Sequence, residues 1–87
     1  MKARHTKLAR MLKNARQGRG LTLREVERMS RNRISNAYLS QIETGKVREP
    51  SLRLLKILCT CYDISYYEVF QATGYPMPVK ELRYGHV

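Results

Sequence analysis

The chain has no tryptophan, a single phenylalanine and two cysteines, and its seven acidic residues stand against seventeen lysines and arginines. Each shortage closes off a class of protein. With almost no tryptophan or phenylalanine, the flat platforms on which single-strand readers stack bases are hard to build, which leaves RNA binding through the basic N-terminal segment a remote reading. Cys59 and Cys61 stand two apart in a helical pattern, which turns them to different sides and excludes a mutual disulfide or a shared metal. As small buried hydrophobes with free thiols they suit a reducing cytoplasm. No apolar run approaches the ~20 residues of a membrane span, and no apolar stretch follows the basic start as it does in a secretory signal. Strand-like alternation and internal repeats are also missing.

Catalytic signatures are missing as well. The sequence has no phosphate-binding glycine loop, no metal-ligand cluster, and no Ser, His and Asp set at an interpretable spacing, so neither an enzyme nor a cofactor or small-molecule site is expected. His5 and His86 fall near the ends, where a histidine is normally a solvated side chain.

What is present is positive charge. A chain of 87 residues can build one modest core, and this one carries a net charge of +10 with a pI near 10.1. Such an excess favours a polyanionic partner, although a merely solvated basic surface is the bland alternative. The charge is also uneven. Lys2, Arg4, Lys7, Arg10, Lys13, Arg16 and Arg19 occur before any acid, and after residue 50 the charges nearly balance. The basic half is the expected phosphate side, with Lys13 on the polar face of its helix.

In chain order, residues 1–6 are polar and expected to fray. Leu8, Met11, Leu12 and Ala15 recur at helical spacing until Gly18 and Gly20 stop the helix. Thr22-Leu-Arg-Glu25 matches a capping box and opens a second helix, whose inner face is Leu23, Val26 and either Met29 or Ser30, with Arg24, Glu27 and Arg28 solvated. Ser30-Arg-Asn-Arg33 lacks apolar spacing and reads as a turn. Ser35 caps a third helix that Gly45 closes. After Glu49-Pro50, Ser51 caps a fourth and most apolar helix, with Leu52, Leu55, Leu58, Cys59 and Tyr62 on one stripe. Ser65-Tyr-Tyr-Glu68 is a second capping box, opening a fifth helix in which Val69 and Phe70 face inward until Gly74. The expected organisation is one all-α, five-helix domain over residues 1–74 and a C-terminal tail over 75–87.

The stretch Ile34-Ser-Asn-Ala-Tyr-Leu-Ser-Gln-Ile-Glu-Thr-Gly-Lys46 stands out because its helix is nearly free of charge in so basic a chain. Leu39 and Ile42 share one side; Asn36, Ala37, Ser40, Gln41 and Thr44 lie towards the other. Asparagine and glutamine are side chains that can read base edges.

Taken in order, Leu12-Lys-Asn-Ala-Arg16, Gly20-Leu-Thr-Leu-Arg-Glu-Val26, the stretch 34–46, Pro50-Ser-Leu and Tyr62-Asp-Ile-Ser-Tyr-Tyr-Glu68 resemble the helix-turn-helix domain of the phage repressor and Cro family, the xenobiotic-response-element type of bacterial regulator. The resemblance implies a lambda-repressor-like fold, double-stranded DNA as partner, a homodimer, and a cytoplasmic transcriptional regulator, most simply a repressor. It makes the third helix the recognition helix, with Asn36, Ala37, Ser40 and Gln41 on base edges. Thr22, Leu23 and Arg24 fall near a phosphate at the second helix's start, and Thr44 and Lys46 near backbone phosphates at the third helix's end. Tyr38 is open between reaching a phosphate and packing inward. Arg16 and Glu43 take the positions of a partly buried ion pair that joins the first and third helices. The dimer face is expected around Tyr66, Tyr67, Phe70 and Tyr75.

The family spacing is not kept everywhere. Between Val26 and Leu39 the chain is two residues longer, the turn lacks glycine, and Glu27 stands where a small residue is usual. Arg31 and Arg33 are left open between phosphate contact and solvation. The rival reading is a protein-interaction or antitoxin-like module on the same fold, with DNA binding secondary.

Overall fold

The computed structural model describes the backbone of residues 2–75 and side chains from Lys7 to Tyr75. Residues 76–87, which make up most of the expected tail and include His86, and the side chain of His5 lie outside the described residues. Five helices and no strand occur among the described residues: α1 Lys2–Gly18, α2 Leu23–Met29, α3 Asn36–Glu43, α4 Leu52–Tyr62 and α5 Tyr66–Thr73.

The helix starts follow local chemistry. At α2 the full capping box forms, with Glu25 N–H donating to Thr22 Oγ1 at 3.1 Å and Thr22 N–H to Glu25 Oε1 at 2.8 Å. Hydroxyl caps at Ser35, Ser51 and Ser65 accept the N–H groups of Tyr38, Leu54 and Glu68 at 3.1, 3.1 and 3.3 Å. Each satisfies one donor that the first turn of a helix leaves without a partner. At Ser65 this is the forward half of the expected box.

The first helix begins earlier than the sequence suggests. Instead of fraying to Thr6, the helical backbone starts at Lys2; the segment holds no glycine or proline, and Lys, Ala and Arg carry little helical penalty. Its end also differs in detail. Gly18 is the last helical residue, and Gly20 takes the left-handed conformation at φ 68° that turns the chain.

The core is layered around α4, where Leu55 and Leu58 are fully buried and Cys59, Cys61 and Tyr62 nearly so. Leu8 and Leu12 of α1, Val26 of α2, Leu39 and Ile42 of α3 and Val69 of α5 close around them. Leu52, expected on this stripe, is 39% exposed: as the first helical residue it has no preceding turn to carry it over the core. Burial pushes the Tyr62 phenol and both cysteine thiols above their ordinary pKa values.

Two expectations at α5 are corrected. Phe70 is only 4% exposed, so its ring faces inward as the α5 pattern predicts, and the expected dimer face loses that ring. Tyr75, assigned to the tail, is half-buried on the domain, its hydroxyl donating to the Pro50 carbonyl at 2.9 Å and its ring meeting Phe70 edge-on at 6.4 Å. Tyr67, 57% exposed, remains on the surface. Tyr66 is half-buried, with the Lys56 ammonium 5.4 Å above its ring.

Candidate nucleic-acid interface

The pair α2–α3 is held in its mutual angle by the turn between them. Two non-glycine residues, Arg31 at φ 57° and Asn32 at φ 63°, occupy the left-handed region that normally calls for glycine. Their strain is held in place by Ser30 and Ile34. Ser30, 4% exposed, donates its hydroxyl to the Glu27 carbonyl at 2.8 Å and accepts the Ile34 N–H at 3.2 Å, while the Ile34 side chain is buried at 1%. Asn32 N–H closes the turn onto the Glu27 carbonyl at 2.9 Å. The inner position left open between Met29 and Ser30 thus belongs to Ser30; Met29 is 48% exposed.

The structure brings Arg16 of α1 and Glu43 of α3 together as a two-pronged pair, Nε to Oε2 at 2.7 Å and Nη2 to Oε1 at 2.9 Å. The remaining guanidinium nitrogen donates to the Leu21 carbonyl at 2.7 Å. The Arg16 and Glu43 side chains are 11% and 6% exposed. The hydrogen bond to Glu43 outweighs burial, which acts the other way, and holds the Arg16 pKa above its usual value. This fork fixes α3 against α1 and, through Leu21, the strand of chain leading into α2. It also has an electrostatic consequence: Glu43 is the one acidic or basic residue in α3, and it is drawn inward.

The outer face of α3 is therefore uncharged. Ala37 and Gln41 are exposed, and Ser40 is partly exposed beside them. Asn36, the first residue of the helix, is half-buried, and its amide Nδ2 donates to Glu27 Oε1 of α2 at 2.9 Å. Glu27, read from the sequence as solvated, is thus engaged at the α2–α3 contact. Tyr38 packs, half-buried, against the core cluster, which answers the open choice in favour of packing for the ring. Thr44 and Lys46 are exposed just beyond the helix, with Thr44 Oγ1 donating to the Gln41 carbonyl at 3.3 Å.

At the start of α2, Thr22 and Arg24 are exposed while the Leu23 side chain packs partly against the core. The Thr22 amide is not free, because it is given to the Glu25 carboxylate. That bond lowers the Glu25 pKa and keeps a negative charge at this helix end, so an incoming anion would meet the amides of Leu23 and Arg24 instead. Lys13 is exposed on α1. Arg28, Arg31 and Arg33 add exposed cations at the end of α2 and along the turn.

Two features escaped sequence reasoning. The Ser30–Ile34 organisation of the turn had only an apolar residue between polar ones as its signal. The Glu27–Asn36 bond had a better one, an acid where a small residue is usual, nine positions before an amide that opens the next helix.

A capped helix, a short ordered turn and a second capped helix with an uncharged outer face, backed by two apolar helices, define a helix-turn-helix domain. The chain belongs to the helix-turn-helix family of the Cro and phage-repressor type; the family's helix-turn-helix model matches residues 12–69. Among curated relatives, it is 39% identical over 71 residues to the transcriptional regulator ClgR of Mycobacterium tuberculosis, in both the CDC 1551 and H37Rv strains, an alignment covering 82% of this chain and 61% of that protein. The chain thus spans less than two thirds of that regulator's length. It is also 34% identical over 83 residues to a glutamine–fructose-6-phosphate aminotransferase of Methanocaldococcus jannaschii, but the match takes in 88% of this chain and 7% of that enzyme, too little to carry its activity across. No solved structure matches the chain significantly.

Proposed function

We propose that this domain is a sequence-specific double-stranded DNA-binding transcriptional regulator that lays α3 in the major groove. The observation that carries the reading is the withdrawal of charge from α3: Glu43 is locked inward by Arg16, leaving an uncharged outer face on a domain that exposes cations at Lys13, Arg24 and Lys46. A surface of that kind separates the two tasks of DNA recognition, since cations meet phosphates of any sequence and neutral amides and methyls discriminate base edges. Ala37, Ser40, Gln41 and Asn36 take the base edges. Thr22, Leu23, Arg24, Thr44, Lys46 and Lys13 take the phosphates, with Tyr38 contributing at most its hydroxyl.

The mechanism is occupancy. Bound at a promoter, the domain excludes polymerase and acts as a repressor, with no bond made or broken in the DNA. A homodimer placing two α3 helices about one helical turn apart would double the recognised sequence. The likeness to ClgR, named as a transcriptional regulator, supports the regulatory role. Free, buried Cys59 and Cys61 suit a cytoplasmic protein. A protein-interaction module would want a contiguous apolar face. Among the described residues the exposed large apolar side chains, Met29, Leu52 and Tyr67, lie on three different helices.

The test is Gln41→Ala measured on a selected duplex and on random duplex. Loss of roughly 1–3 kcal/mol on the selected sequence alone is expected, and an equal loss on both would take Gln41 off the bases.

A further inference from the structure

We infer that Glu27 is a specificity-setting residue: its carboxylate fixes which way the Asn36 amide faces and thereby commits Asn36 to adenine over guanine. The inference rests on the proposed reading of DNA by α3 and goes beyond it by assigning a role to a residue that touches no base.

A terminal amide is nearly symmetrical in shape, and rotation by half a turn exchanges its acceptor oxygen for its two-donor nitrogen at almost no steric cost. A recognition residue with a free amide therefore offers either chemistry to a base. Asn36 is not free. Its Nδ2 stands 2.9 Å from Glu27 Oε1, both side chains are half-buried, and they reach each other across the α2–α3 contact. An ionised carboxylate only accepts hydrogen bonds, so the atom facing it has to be the nitrogen. The inverted amide would set Oδ1 against the carboxylate with no proton between them.

The arrangement also decides what is left for DNA. After one N–H is given to Glu27, Asn36 retains one N–H and the Oδ1 acceptor. Adenine presents in the major groove one acceptor, N7, and one donor, the N6 amino group, which is the complement of that remainder. Guanine presents two acceptors, N7 and O6, and is best met by two N–H donors, which is what the inverted amide would turn outward. Glu27 thus penalises the guanine-reading orientation. A glutamate here also has its own cost, a negative charge near phosphates, so its removal raises affinity for every sequence somewhat. The informative quantity is consequently a ratio of affinities.

The experiment uses the full chain and duplexes that differ only by adenine or guanine at the position Asn36 reads. That position is the one whose base preference disappears in Asn36→Ala. In Glu27→Ala the adenine-to-guanine affinity ratio is expected to fall on the order of five- to tenfold, while helical content is kept and binding to random duplex holds or rises. Glu27→Gln preserves shape but can hold the amide in either orientation, so its ratio should fall towards that of Glu27→Ala, and it serves if the alanine variant folds poorly. An unchanged ratio in both variants overturns the role of Glu27, as does an Asn36→Ala variant that alters no base preference. The Gln41→Ala result is independent of both, so failure of the Glu27 role and failure of DNA reading by α3 give different patterns.

Discussion

The two helix pairs of the molecule, α2 with α3 and α4 with α5, are built from similar local parts and held by different forces. Each second member is opened by a serine cap, and each pair is joined by a turn with a non-glycine residue in the left-handed region, Arg31 and Asn32 in one and Asp63 in the other. The α4–α5 pair is joined by apolar burial, with Leu55, Leu58, Cys59, Tyr62, Val69 and Phe70 all inside. In the α2–α3 pair Val26, Leu39 and Ile42 supply a narrower apolar seam, and directional bonds add the rest: Ser30 to Glu27 and Ile34 and Glu27 to Asn36 within the pair, with Arg16 of α1 tying down Glu43 from outside it. Apolar burial is non-directional and sets stability; hydrogen bonds have required angles and set orientation. The pair that has to be aimed is the one fastened by polar contacts.

Mutations can break this comparison. The largest effect is expected in the apolar pair, where Leu55→Ala should cost about 2–5 kcal/mol of stability in denaturant unfolding, with the sequence preference of the remaining folded protein intact. Glu43→Ala comes next: an unpaired guanidinium left mostly but not fully buried should cost about 3 kcal/mol, the low end for a broken buried pair. Unlike Leu55→Ala, it should also blunt discrimination between selected and random duplexes, because α3 loses its tie to α1. A combined Arg16→Met and Glu43→Leu variant should recover most of the stability without recovering the discrimination. If stability and discrimination fall together in every variant, the division between the pairs is wrong.

Smaller effects sharpen it. Arg31→Gly should stabilise the fold by about 0.5 kcal/mol, since the left-handed conformation costs an L-residue about 1–2 kcal/mol and glycine returns about half of that gain as unfolded-state entropy. Thermal unfolding with no gain would mean that the turn is unstrained. Smallest is a pH effect at the start of α2. The Thr22 N–H holds the Glu25 pKa below its ordinary value of 4.5. The folded state therefore releases this proton more readily than the unfolded chain. Its contribution is complete above that ordinary value and is lost as pH falls through the lower folded-state value. Glu25→Gln should accordingly flatten the acid limb of the stability profile, read as a shallower fall in melting temperature below about pH 4.5; an unchanged acid limb would show that the bond contributes nothing.

The same division explains what could be read in the sequence. The starts of α2, α3, α4 and α5 were legible because a cap is a local event, written in Thr22, Ser35, Ser51 and Ser65 a few residues from the amides they satisfy. The core stripe of α4 was legible through its period, except at Leu52, where the helix end removes the surface it would cover. The early start of α1 was missed because polar residues between Lys2 and Thr6 give no apolar period, although they carry no helix breaker. The inward turn of Phe70 was legible with Val69 in the α5 pattern, whereas the place of Tyr75, beyond the last helix, depends on how α5 sits against Pro50. In the candidate interface, the joining of Arg16 to Glu43 followed from family resemblance and not from spacing. Glu27 with Asn36, and Ser30 with Ile34, depend on the angle between two helices and the course of a lengthened turn, which no local pattern encodes.

The central claim is that α3 reads sequence and that the surrounding cations only hold the duplex. It is met most directly by selecting binding sites from a random duplex pool with the full chain at a stated salt concentration. The account predicts an enriched site with two symmetric half-sites about one helical turn apart, each containing an adenine whose preference is lost in Asn36→Ala. Recovery of duplexes with no common sequence, bound with the same affinity as the starting pool, would contradict it.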